Sequence, residues 1–317
     1  MMGALKSWEG GLLVVFLATL AMNAAFAPEF LTVQNQINLF QLSIEKIIVA
    51  LVMTLVIMNA EIDLSVASVM GLAAVVFAYL LNHGWGGGGA FLVCLGVGLL
   101  AGAVNAVLVA KVGIPSLVVT LAMMIGYRGF SRVIVQDTSL GGFPGWITDL
   151  GQNGLIGPLP LSIVLFFVLL AGLGVLLHRT GFGRQVVVIG TNAEVARFSG
   201  IDVARVKATL FVMSAVVSAV AGVLYAARLG SVRGDSALGF ELDIITMVLL
   251  GGVSIFGGKG SMAGVFLSIL IILNLRNGMA LLNITGHVQT GVIGILLILS
   301  VLLPNAVNLL RARRARA

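Results

Sequence analysis

The chain has 317 residues, of which 59% are hydrophobic and only 9% charged, against about 25% charged in a soluble domain. Polar side chains this scarce cannot cover a water-facing surface, so lipid must solvate most of the protein, which excludes an ordinary soluble enzyme or binding module. The net charge of +6 does not point to nucleic acid, because the basic residues collect at the ends of apolar runs and in the tail at Arg311, Arg313, Arg314 and Arg316, as on the cytoplasmic flanks of membrane proteins.

Lys6, the apolar stretch Gly11 to Ala27 and the small-residue triplet Ala25-Phe26-Ala27 have the layout of a signal peptide; the length of the stretch and the immediate Pro28 favour an uncleaved first span over 10–27. Residues 30–41, with Gln34, Asn35, Asn38 and Gln41 among Leu and Phe, predict a surface-lying helix. Runs approaching the roughly 20 apolar residues that cross a bilayer follow at 42–60, 64–82, 89–110, 114–135, 159–177, 206–227, 241–256, 261–281 and 287–309. The fold expected is an all-α membrane protein, a polytopic bundle of about ten transmembrane helices forming a single domain over 1–317. The run 241–256 is short, and Gly251, Gly252, Gly257, Gly258 and Gly260 mark a break or a re-entrant segment there, which must be surrounded by protein.

Ten spans put both termini on one side. Taking that side as cytoplasmic leaves Lys46, Arg128, Arg132, Arg228, Arg233 and Arg276 outside and the other twelve of the 18 basic residues inside, the bias the positive-inside rule requires. The loop 136–158 is then outside and 178–206 inside. A weak internal repeat at an offset of 196 aligns Glu45 with Glu241 and Ser65-Val66-Ala67 with Ser261-Met262-Ala263. Each glutamate opens a predicted helix, where a negative charge suits the dipole.

The inner loop carries the most information. Thr191 followed by Glu194 forms a capping box, and Gly200 sits at a helix C-cap, predicting a helix of about eight residues from Asn192 to Ser199. So short a helix is marginal in water and needs something to pack on, either a partner or its own protein. Ala193 and Ala196 keep one side low enough for close docking, and Glu194 and Arg197 offer charges.

The stretch TGFGRQVVVIGTNAEVARFSGI (180–201) resembles the cytoplasmic coupling segment of permeases in the ribose, xylose and autoinducer-2 class of ABC importers. EIDLSVASVMG (61–71), NAVLVAKVGIPSLVVTLAMMIGYRG (105–129) and GGVSIFGGKGSMAGVF (251–266) resemble the same class in the same order. The resemblance implies a sugar-importer permease in a bacterial cytoplasmic (inner) membrane, with Asn192, Ala193, Glu194, Ala196 and Gly200 docking into a groove of the ATPase subunit. It also implies ATP-binding cassette ATPase subunits, a second permease chain, like or unlike this one, and a periplasmic or extracellular sugar-binding protein as partners. One departure is Glu61, where many members carry Gly-Gly before the Ile-Asp.

Asp63, Ser65 and Ser261 fall at predicted cytoplasmic helix starts, as caps or as parts of a gate. GGVSIFGGKGS is not a phosphate-binding loop, since Gly260 rather than Ser or Thr follows Lys259 and Val253 stands where the first glycine is needed; ATP is expected on a separate subunit. No catalytic constellation, metal site or cofactor is predicted: His83, His178 and His287 lie near span ends, and Cys94 stands alone in an apolar run. Arg128 and Arg276, in the outer halves of their spans, could snorkel to the surface. Asn105 and Asn274 either bond between helices or, with Thr120, Met124 and Tyr127, line a path for a neutral sugar. The alternative function is an ion-coupled transporter or a channel for a small polar solute. It is disfavoured because proton coupling usually needs carboxylates inside the spans, and here the acids lie in loops and at span ends.

Overall fold

The computed structural model describes residues 8–136, 138–156 and 159–314; Lys6 and Arg316, counted among the inner basic residues, lie outside them. The chain is a helical bundle. In order it forms α1 (Trp8–Phe26), α2 (Val33–Gln41), α3 (Ile44–Met58), α4 (Val66–Asn82), α5 (Gly87–Ala106, running on as a π-helical turn Val107–Lys111) and α6 (Ser116–Val135). There follow α7 (Gly145–Gln152), α8 (Leu161–Arg179), α9 (Gly181–Thr191), α10 (Ala193–Phe198), α11 (Val203–Leu229), α12 (Phe240–Leu250), α13 (Met262–Leu281) and α14 (Gly286–Arg314). Two small antiparallel pairs complete it: β1 (Ser139–Gly141) with β4 (Ser231–Arg233), and β2 (Gly154–Ile156) with β3 (Leu159–Pro160).

Every one of the ten apolar runs coincides with a helix, but the helices differ in reach. Among the described residues α1, α5, α6, α8, α11 and α13 are long and apolar enough to cross a membrane alone, and α2 with α3, bent by 57° at their junction, would make a seventh. Length and hydropathy therefore carry six or seven crossings, fewer than the ten expected. For α3, α4 and α12 the shortfall has a physical cause; α14 counts only as a shorter apolar helix, Gly286–Ser300, among the described residues. All 15 residues of α3 are buried, α4 has 17 residues and α12 only 11. Helices enclosed by protein can end short of the bilayer surface, because neighbouring chain rather than lipid then surrounds their termini. The glycine-rich stretch 251–260 is where α12 stops, with positive φ at Gly252, Gly257 and Gly258.

The core sits around α3, which packs against α8, α11, α12 and α13. On α5, Gly98 and Gly102 bring the backbone onto α11, where an added Cβ would lie 2.8 Å from Ala219 Cβ or 2.7 Å from Val212 Cα; small residues provide such close approach in membrane bundles. The helix α1 lies along α13, where Asn23 Nδ2 donates to the carbonyl of Asn274 at 2.7 Å. The repeat is visible in the helix boundaries: α3 and α12 begin at Ile44 and Phe240, and α4 and α13 at Val66 and Met262, both offset by the 196 residues read from the sequence.

Candidate functional site

The segment 178–206 is more helical than the one short helix expected, holding α9 as well as α10. Thr180 caps α9, its Oγ1 accepting from Gly183 N–H at 3.2 Å, and α9 continues through Thr191. This moves the cap of α10 by one residue. Thr191 is not the N-cap: it ends α9 and its hydroxyl donates to the carbonyl of Val187 at 3.0 Å. Asn192 holds the extended cap conformation, and its Oδ1 accepts from the N–H groups of Glu194 (2.9 Å) and Val195 (3.1 Å). With Asn192 as cap the third helical position is Val195, which has no polar group to reach back, so the Thr191–Glu194 capping box does not form. The C-terminal expectation holds. Gly200 has φ +80°, its N–H donates to Arg197 O and that of Ile201 to Ala196 O, both at 3.0 Å, which is the Schellman arrangement.

The two ends fix which face of α10 points outward. Ala196 is fully buried and Ala193 partly so, both against the chain's own core. Ala196 was expected on the docking face; in the structure it is the anchor that seats α10. The outward face carries Glu194, Val195 (54% exposed), Arg197 and Phe198 (93% exposed). Val195 and Phe198 were missed in the sequence, although their i, i+3 spacing is a stripe parallel to that of Ala193 and Ala196.

Beneath α10, three backbone segments meet. Gly258 N–H donates to Met58 O at 2.9 Å. Gly190 packs against both, with an added Cβ falling 2.7 Å from Gly258 N and 3.0 Å from Met58 C. Asn59 Nδ2 donates to the carbonyl of Val186 at 3.1 Å. The segment 178–206 thus rests on the two breaks related by the internal repeat, 59–65 and 251–261.

The first of these breaks is a polar hub. Glu61 forms an ion pair with Lys207 at the start of α11, which gives the unassigned acid a structural role. Asp63 is fully buried. Its Oδ1 accepts from Ser65 N–H (3.0 Å) and Ser65 Oγ (2.6 Å), and its Oδ2 from Ser214 Oγ on α11 (3.0 Å). Ser65 therefore turns its hydroxyl to Asp63 rather than capping α4, whereas Ser261 does cap α13 by accepting from Gly264 N–H at 3.1 Å. Asn105 Nδ2 donates to Ser65 Oγ (2.8 Å), and Thr120 Oγ1 lies 3.2 Å from Ile62 O and 2.8 Å from Ser116 O. Of the residues suggested for a substrate path, Asn105 and Thr120 are brought together on this hub and are fully buried. Tyr127, two turns along α6, donates to Ala101 O at 3.1 Å, and Met124 between them is partly buried. Asn274 belongs to a different contact, between α13 and α1.

At the other end of α3, about 20 Å away by helix rise, lies a buried charge network. Glu45 accepts from Arg228 (2.7 and 3.2 Å), Asp243 from Lys46 (3.0 Å) and Arg276 (2.5 Å), and Glu241 faces Arg128 at 3.5 Å. Arg128 and Arg276 therefore do not snorkel; Glu241 and Asp243, both in the first turn of α12, hold them, as the cost of an unpaired buried charge requires.

Residues 35–301 match the family described as branched-chain amino acid transport system / permease component. The ribose import permease protein RbsC of Escherichia coli (strain K12) is 32% identical over 305 residues, covering 95% of this chain and 95% of that protein. The autoinducer 2 import system permease protein LsrD of Yersinia enterocolitica is 36% identical over 261 residues, covering 80% of this chain and 78% of that protein. LsrD of Yersinia pseudotuberculosis (strain YPIII) is 37% identical over 262 residues, with the same coverages. No solved structure matches this chain.

Proposed function

The chain belongs to the family of branched-chain amino acid transport system permease components, and on that premise we propose that it is the membrane-spanning permease of an ATP-driven importer, moving a small sugar delivered by an external binding protein. Relatives that cover 80–95% of the chain are import permeases for ribose and for autoinducer 2, which supports this reading over an ion-coupled transporter or channel. A permease component is not itself the catalytic subunit. ATP hydrolysis falls to separate ATP-binding cassette subunits, a second permease chain completes the pathway, and a sugar-binding protein feeds it from the periplasmic or extracellular side.

The observation that carries the proposal is α10: six residues, too few to persist alone, held by a cap at each end and presenting Phe198 and Val195 outward. An exposed aromatic beside an aliphatic on a rigid short helix suits a partner's groove. In the proposed role Thr191 and Asn192 end α9 and start α10, Ala193 and Ala196 seat it, Gly200 closes it, and Glu194, Val195, Arg197 and Phe198 meet the ATPase. Movement there passes through Gly190 to Met58 and the 59–65 hub, and so to α5, α6 and α11. In this reading the chain lies in a bacterial inner membrane with both termini cytoplasmic, the short enclosed helices completing ten crossings beyond the six or seven that length and hydropathy carry, and α10 is on the side where ATP is.

For the substrate path, Asn105 Oδ1 is buried without a hydrogen-bond partner and can accept from a sugar hydroxyl beside Thr120, Met124 and Tyr127; Asn274 Oδ1 is likewise open. These are amide, hydroxyl, phenol and thioether groups, suited to a neutral polyol. The family description also admits a branched-chain amino acid, a zwitterion needing a charge of each sign. Co-purification of an ATP-binding cassette subunit with the tagged permease, and the mass of that complex, test the assembly. A complex with two permease chains and two ATPases is expected, and a permease that purifies alone from its native membrane would sink the proposal.

A further inference from the structure

The helices α8 and α13 leave between them a groove of about 460 Å³. Its walls are apolar, with Leu170 and Gly174 from α8 and Met262 and Phe266 from α13, and one end is basic, formed by His178 and Arg179 at the last turn of α8. Both helices are of membrane-crossing length and hydropathy, so the groove opens sideways from the bundle. Gly174 makes the room: a Cβ built there meets only Met262 Cγ at 3.9 Å, so any larger side chain would project into the groove. Arg179 is exposed and makes no ion pair among the described residues. His178 Nε2 accepts from the N–H of Met262 at 3.4 Å, which leaves Nδ1 to carry the proton and donate outward. The basic end also lies at the first turn of α13, where the helix dipole favours negative charge. Glu9 also reaches that turn, where it accepts from Ser261 Oγ at 2.8 Å.

We infer that this groove holds an anionic phospholipid, with an acyl chain along the apolar wall and the headgroup phosphate between Arg179 and His178. A bilayer fills any apolar furrow that opens to it. What the two basic groups add is selection among headgroups, as basic pockets between transmembrane helices do. A neutral groove of the same shape would take every phospholipid alike. The occupant follows from charge and shape and does not depend on the importer reading.

The test is native mass spectrometry of the detergent-purified full chain titrated with phosphatidylglycerol or phosphatidylcholine of matched chains. Wild type should retain phosphatidylglycerol about fivefold more, the contribution of one basic residue near an anionic headgroup. Arg179→Gln should erase that preference, Gly174→Phe should lower retention of both lipids, and Arg205→Gln, at an exposed basic residue away from the groove, should change neither. Equal retention of the two lipids by wild type would overturn the inference, as would equal effects of Arg179→Gln and Arg205→Gln. Displacement of the lipid by glycerol phosphate alone would show a phosphate site that ignores the groove. In a Cys94→Ser background, a disulfide between Ala171→Cys of one chain and Ala263→Cys of another would show that a second copy covers it. Either result would also overturn the inference.

Discussion

Replacing Phe198 by Ala separates docking from folding. The side chain is 93% exposed on the isolated chain, so removing it takes almost nothing from the folded core, and a stability change within about 0.5 kcal/mol is expected. A phenylalanine that enters a partner's groove buries on the order of 150–250 Å², and truncation to Ala forfeits roughly half or more of that. At about 25 cal/mol per Å² the loss is roughly 2–3 kcal/mol, or about 30- to 150-fold in affinity for the ATPase. Ala196→Trp is the contrasting variant. Ala196 is fully buried beneath α10, so the indole has no room and the variant should lose folded protein by overpacking, about 1–3 kcal/mol. The assay is binding of purified ATPase to permease in lipid nanodiscs, with melting temperature measured on the same samples. Unchanged affinity for Phe198→Ala, or a melting temperature lowered as far as that of Ala196→Trp, would refute the assignment of the outward face.

Gly190→Ala should strain the junction of α9 with Met58 and Gly258, costing about 1–3 kcal/mol, and a melting temperature equal to wild type would contradict that packing. Asp63→Ala strips the acceptor from Ser65 and Ser214 at about 1–3 kcal/mol per orphaned donor. Uptake should fall while ATPase binding through α10 stays normal, and loss of both together would argue against a relay through the hub. Single cysteines at Asp149 and Arg314 in a Cys94→Ser background should react with an impermeant thiol reagent in intact cells at 149 and only after permeabilisation at 314; the reverse pattern would invert the proposed orientation.

The helices were legible because lipid solvation writes them as long apolar runs, and their starts at Ile44, Val66, Phe240 and Met262 even kept the spacing of the repeat. The local chemistry was less legible. The sequence predicts only one short helix in 178–206, yet Gly181, Gly183 and Gly190 lie within a second, α9, and Gly183 and Gly190 are small because backbone carbonyls of Leu177 and Met58 crowd them. The Thr191–Glu194 box is a valid local pattern that lost to the neighbouring Asn192, a cap of comparable strength. Ala196 looked like a docking surface because small residues suit any close contact, and sequence alone does not say with whom. The partners of Arg128 and Glu61 are contributed by helices far away in the chain and that of Arg276 by the preceding helix, pairings that no local pattern encodes. Asp63 could be read as a helix start, but its bond to Ser214, 151 residues on, could not.

The central claim is that this chain passes its solute only when ATP is spent on a docked ATPase. Proteoliposomes containing the permease with the proposed ATP-binding cassette subunit and sugar-binding protein, with a labelled small sugar outside and ATP inside, test it most directly. The account predicts uptake that needs ATP and the binding protein, is abolished by Phe198→Ala at limiting ATPase, and is indifferent to ionophores that collapse proton and sodium gradients. Uptake without ATP, driven by either gradient, would contradict it.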